Sequence, residues 1–151
     1  MSMSRFITLW THPDYPPEPV MEDELDTSER RLNTRLPSDY RDAVLAFGLP
    51  RTIAALLSTI CDRELELRDV GDFFSPQGMV ERTEDWRDCG LPEELVAFAS
   101  DCMGNLFCFP VDPNNSREQP VLFWDHDDKS FETVAPSFAR WIEDFCRLSS
   151  H

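Results

Sequence analysis

Basic charge is what this chain has least of. Fourteen Lys and Arg face 29 Asp and Glu among 151 residues, and Lys129 is the sole lysine, so the formal net charge is −15. Such a surface repels DNA, RNA and anionic membranes at long range. It attracts basic surfaces, and steering of this kind raises on-rates by about ten- to a thousandfold. Long apolar runs are missing too: no stretch approaches the ~20 residues of a membrane span. The apolar stretch at residues 1–10 lacks a basic leading region, a full-length apolar region and a small-residue cleavage site, and it does not read as a signal peptide. The expectation is a soluble protein of the cytoplasm, with neither nucleic acid nor membrane as partner.

Paired cysteines are also lacking. The five, Cys61, Cys89, Cys102, Cys108 and Cys146, are odd in number and irregular in spacing, with no C-x-x-C. That argues against a disulfide framework and against a zinc site. Most have apolar neighbours, as in Phe107-Cys108-Phe109 and Phe145-Cys146, which suggests buried, reduced thiols.

Catalytic signatures are absent as well. There is no G-x-S-x-G, no phosphate-binding loop with its lysine and no dinucleotide fingerprint. Of three histidines, His151 is the last residue and His12 lies among prolines, leaving His126 in Asp125-His126-Asp127-Asp128. The alternating acids, central glycine and distal glutamate of a calcium loop are not there, and adjacent Asp at a hairpin tip is better read as a turn former. Cys102 is the only cysteine placed in a loop, and a nucleophilic role would demand a lowered pKa. The sequence thus assigns no catalytic residue, no metal ligand and no cofactor.

What is present is ordinary core material: 41% hydrophobic residues, with eleven Phe and four Trp. A single domain of this length buries roughly 70% of the surface its unfolded chain exposes. Residues 1–20 read as an extended, proline-rich lead-in, with prolines at 13, 16, 17 and 19. The domain proper is expected over residues 21–151. Helices are predicted over 21–34 (Met21, Leu25 and Leu32 inward), from Leu36-Pro37-Ser38-Asp39 to Gly48 (Tyr40, Val44, Phe47), and over about 51–62. Leu65 and Leu67 suggest a short strand, residues 71–78 a loop, and 78–88 a helix with Met79, Thr83 and Trp86 inward. Four strands are expected near 96–99, 106–111, 121–124 and 131–134, followed by a helix with the stripe Phe138, Trp141, Ile142, Phe145 and Leu148. This is an α+β domain, its N-terminal helices and a C-terminal helix packed on a mainly antiparallel sheet, one face of which they cover.

The remaining signal is acidic: residues 22–29, 81–88, 93–94 and 125–128. Arg82 and Arg87 stand at helical spacing to partly neutralise the second run. Glu22, Glu24, Asp125, Asp127 and Asp128 are the candidate partner-binding residues, with Trp10, Tyr15 and Phe74 as candidate exposed aromatics.

Leu36-Pro37-Ser38-Asp39-Tyr40 followed by Phe47-Gly48 resembles the opening of the SUKH superfamily. Phe98-Ala99-Ser100-Asp101 with Gly104-Asn105-Leu106-Phe107-Cys108-Phe109, and Pro120-Val121 through Trp124-Asp125-His126-Asp127, resemble its second and third signatures. Two departures stand out: Leu49-Pro50 where the family often has a second glycine, and the stretch 62–89, which finds no clear register. The resemblance spans residues 22–148. It implies an α+β domain without catalytic residues. In bacterial members it implies an immunity protein that occludes a cognate toxin, often a nuclease and here expected to be basic. The superfamily's regulators of fungal cell-wall synthesis offer the alternative, an intracellular regulatory or scaffold module.

Overall fold

A computed structural model describes residues 2–62, 68–114 and 117–148. Among them the chain forms α1 (Ser2–Trp10), α2 (Glu22–Leu32), α3 (Ser38–Phe47), α4 (Ala54–Asp62), β1 (Asp72–Phe73), α5 (Pro76–Arg87), β2 (Leu95–Ser100), β3 (Leu106–Pro110), β4 (Val121–Asp125), β5 (Ser130–Ala135) and α6 (Phe138–Arg147). The strands make one antiparallel sheet in the order β1-β2-β3-β4-β5, so the α+β architecture is as expected. Short turns join β2 to β3 and β4 to β5, which is why neighbours in sequence are neighbours in space.

The C-terminal helix is the clearest case of sequence dictating packing. Phe138, Trp141, Ile142 and Phe145 recur at three- and four-residue steps and are all buried. The Ser137 hydroxyl accepts a hydrogen bond from the Arg140 N–H at 3.2 Å and caps the helix start. The helix lies on a layer of phenylalanines: Phe98 and Phe109 stack at 4.0 Å between ring centres, and Phe107 meets Trp141 at 4.8 Å. Tyr40 of α3 packs edge-on against Phe98, Phe109 and Phe138 on the same face.

The other face is covered too, contrary to the expectation of one-sided cover. Side chains alternate across a strand. Phe123 points to the α6 face, where it meets Phe107, so Trp124 points away and packs edge-on against Trp86 of α5. Helix α2 in turn packs on α5: Ser28 donates its hydroxyl proton to the Pro76 carbonyl oxygen at 2.7 Å. Ser28 takes the inward place expected of Met21, which is exposed.

The lead-in departs most from expectation. Residues 2–10 are helical rather than extended, and Met3, Phe6 and Trp10 are buried against α6 and the sheet. The residues beyond it turn at 13–15 and pair twice with the segment between α3 and α4, at Thr11–Thr52 and Glu18–Leu49. That crossing explains Gly48: its φ is +85°, and a Cβ there would stand 2.7 Å from the Glu18 carbonyl oxygen. Residues 71–78, expected as loop, contain β1 and the start of α5, where Ser75 accepts from the Gly78 N–H at 3.0 Å and Pro76 fits the first helical turn. The strand expected at Leu65 and Leu67 lies outside the described residues.

Candidate functional site

The sheet register sets where the acidic groups sit. Ser100 pairs with Leu106, Leu106 with Trp124, and Asp125 with Ser130, so the 101–105 turn and the 126–129 hairpin loop share one end of the sheet. At that end Asp125 Oδ1 accepts from the backbone N–H groups of Asp127 (2.8 Å) and Asp128 (3.1 Å). These two bonds hold its carboxyl below the usual carboxylate range. Lys129 closes the turn in the left-handed region, with φ 54°. Asp125 is thus a turn former, and Asp127 and Asp128 project into solvent.

His126 is held rather than poised. Its Nδ1 lies 2.6 Å from Asn105 Oδ1, the same oxygen accepts the His126 backbone N–H at 3.1 Å, and its ring lies against Trp86. Nε2 is 3.4 Å from exposed Asp127. Among the described residues no group of three or more His, Cys, Asp and Glu side chains is placed to hold a metal ion.

Cys102 is exposed at the same end, Cys89 is exposed where its carbonyl oxygen accepts from Lys129 Nζ of the hairpin, and Cys61 is exposed on α4; only Cys108 and Cys146 are buried, so burial of most thiols does not hold. The three exposed cysteines lie in turns or on the outer side of α4, where no apolar layer covers them. Partial desolvation, then the Asp69 and Asp101 carboxylates, raise the Cys102 pKa. That suppresses the thiolate that nucleophilic chemistry requires. Asp69 is itself pushed up by burial and by Asp101.

The second acidic region is a cleft of about 520 Å³ between α2 and α3. Glu22, Asp26 and Glu29 recur at four- and three-residue steps on one side of α2 and converge on Arg41 of α3. Arg41 lies 2.9 Å from Glu29, 3.2 Å from Asp26 and 3.7 Å from Glu22. The Arg41 and Glu29 side chains are only 16% and 10% exposed. Glu29 also accepts the Leu36 N–H at 2.7 Å, which fixes the chain between the helices. Pairing and hydrogen bonding on both sides are what make this near-buried ion pair tolerable. Asp42, on the cleft wall, is exposed and makes no ion pair among the described residues.

The five candidate residues therefore fall in three places. Glu22 is in the α2–α3 cleft. Glu24 faces the groove towards α5 and accepts the Met21 N–H at 2.9 Å, closing the start of α2. Asp125, Asp127 and Asp128 are together at the hairpin. Of the candidate aromatics Tyr15 is 61% exposed, whereas Trp10 and Phe74 belong to the core. Arg82 and Arg87 form no ion pair with the acids of their own run among the described residues: Arg82 stands over the Phe74 ring and acts on Asp72, and Arg87 donates to the Glu93 and Leu95 carbonyl oxygens. Sequence reading missed Arg41 and Asp42, because the cleft forms only when α2 and α3 close on each other.

The residues that carried the family resemblance are structural: Tyr40 in the core, Gly48 at the chain crossing, and Gly104 with φ +86° in the turn. Residues 22–142 match the SUKH_6 family, described as SMI1-KNR4 cell-wall. The chain belongs to this family. It is also 24% identical over 142 residues to the SPbeta prophage-derived uncharacterized protein YokK of Bacillus subtilis (strain 168), an alignment covering 80% of this chain and 71% of that protein. For a SUKH protein the fold does not settle the function, and the charges on its surface must be argued from their own chemistry. None of the helices among the described residues is long and apolar enough to cross a membrane.

Proposed function

We propose that this SUKH protein is a non-enzymatic immunity protein that neutralises a cognate, basic protein toxin by covering it. The observation that carries the reading is uncompensated acidity: Asp23, Asp42, Asp85, Asp88, Glu93 and Glu94 are exposed and make no ion pair among the described residues. A nuclease or similar toxin needs a basic cleft for phosphate, and an acidic protein is matched to such a cleft both in steering and in register. The family supports the same reading, as it does the second one, a regulatory module of the same fold; the family description, which names the cell wall, favours that alternative.

Co-purification tests the proposal. The reading predicts a neighbouring gene for a toxin-like protein, and the chain mixed with that protein is expected to give a stable complex whose association slows as salt rises. A pull-down returning envelope-synthesis or signalling proteins, with no affinity for that neighbour, overturns it in favour of the regulatory module.

A further inference from the structure

The five-stranded sheet has two edges of very different character. β1 is two residues long, whereas β5 runs from Ser130 to Ala135. β2, β3 and β4 are buried almost throughout, but Ser130, Phe131, Glu132 and Thr133 are exposed in succession, Phe131 by 48%. Among the described residues β5 pairs only with β4. In an antiparallel ladder half the N–H and C=O groups of such a strand turn outward, unpaired by the sheet.

Proteins ordinarily blunt an edge of this length with lysine, proline or a cover. Here the sole charge within the strand is Glu132, near its middle, and Pro136 lies beyond its end. That choice discriminates. Two copies pairing antiparallel through β5 would bring their Glu132 side chains opposite or diagonal to each other, and each copy carries a net charge of −15. A cationic strand meets the reverse situation. Asp125, Asp128 and Glu132 line a depression of about 290 Å³ beside the edge, together with Arg68, Phe123 and Phe131. Arg68 shows what chemistry suits it: its guanidinium lies 4.1 Å from the Phe123 ring centre and 3.1 Å from Glu132.

We propose that β5 is the docking edge of this protein, and that its occupant is an extended basic segment of the partner, added to the sheet as a further strand. The inference rests on the reading of the partner as a basic protein. Alternation across β5 specifies the segment further. Residues meeting the Ser130–Glu132 side are basic, and those meeting Phe131 and Thr133 are apolar. Main-chain bonds then supply affinity and the alternating side chains supply choice of partner.

The test is hydrogen exchange on the full-length chain with a short, end-capped peptide alternating Arg and Val. The control is the same peptide N-methylated at alternate residues, which keeps its charge and cannot extend a sheet. The expected result is about tenfold or greater slowing of exchange within residues 130–134 by the first peptide alone. Affinity should fall by about tenfold or more between roughly 50 and 200 mM salt. The double variant F131K/E132K, with unchanged circular dichroism, is expected to lose the protection. No binding, protection confined to another surface, equal protection by the methylated peptide, or self-association that buries β5 would each overturn the proposal. A toxin neutralised as well by F131K/E132K as by the natural chain also overturns it, while leaving the immunity reading standing.

Discussion

The indole N–H of Trp10 donates to the carbonyl oxygen of Phe145 at 3.0 Å, joining residues 135 positions apart. The first helix is thereby fastened to the last, with Phe6 edge-on to Phe145 beneath the bond. Replacing Trp10 by Phe is expected to cost about 1 kcal/mol, the worth of one hydrogen bond. Replacing it by Ala is expected to cost about 3–5 kcal/mol, since a cavity opens as well. Urea unfolding measures both, and equal small losses would show that α1 is not part of the cooperative core.

Tyr40 poses the opposite case. It is buried among three phenylalanines, and its hydroxyl has no hydrogen-bond partner among the described residues. Burial raises its pKa, so the group stays neutral. Removing a buried, unpaired hydroxyl removes a desolvation cost of about 1–3 kcal/mol. Tyr40→Phe is therefore expected to leave the thermal midpoint unchanged or raise it, and Tyr40→Ala to lower it sharply. A marked fall for Tyr40→Phe would reveal a partner for the hydroxyl.

Thiol labelling checks the electrostatics of the 101–105 turn. Cys102 is exposed, yet desolvation, Asp69 and Asp101 raise its pKa above the ordinary value. Its alkylation rate is expected to rise with pH along a curve displaced above that of a free cysteine. Asp69→Asn should move the curve down by removing one of the charges. Labelling of Cys102 with the profile of a thiolate already formed at neutral pH would contradict the geometry.

Asp125 gives a dependence of opposite sign. Its folded-state pKa is lowered by the Asp128 and Asp127 N–H groups. The stability it contributes is present above the unfolded carboxylate pKa and is lost as pH falls through the lower folded value. Asp125→Ala is expected to loosen the hairpin at neutral pH and to make no difference once the medium is acid enough to protonate the natural residue. Amide exchange at Asp127 and Asp128 across that range tests it. A variant whose effect persists unchanged in strong acid would assign the loss to something other than the carboxylate.

Much of the fold is legible from residue pattern because the pattern and the packing agree. The α6 stripe and the run Leu106 to Phe109 read as core and are core. α1 was not legible: nine residues are too few for a helix to hold by itself, and its three buried positions make sense only against α6. β1 is too short to carry a periodicity, and Phe73 and Phe74 are both buried although adjacent in sequence. The acids of the hairpin are visible as turn formers, but that the 101–105 turn lies at the same end of the sheet depends on strand register. The strand expected near 131–134 is present as β5, and its exposure follows from its place at the edge of the sheet.

The immunity reading is tested most directly by the growth of cells expressing the toxin-like neighbour that it predicts, with and without the present chain. Rescue of growth by the natural chain, weakened when exposed acids such as Asp42, Glu93 and Glu94 are replaced by Lys with the fold intact, is the predicted result. Growth arrest that persists despite ample folded protein, or rescue indifferent to those charge reversals, would contradict the account.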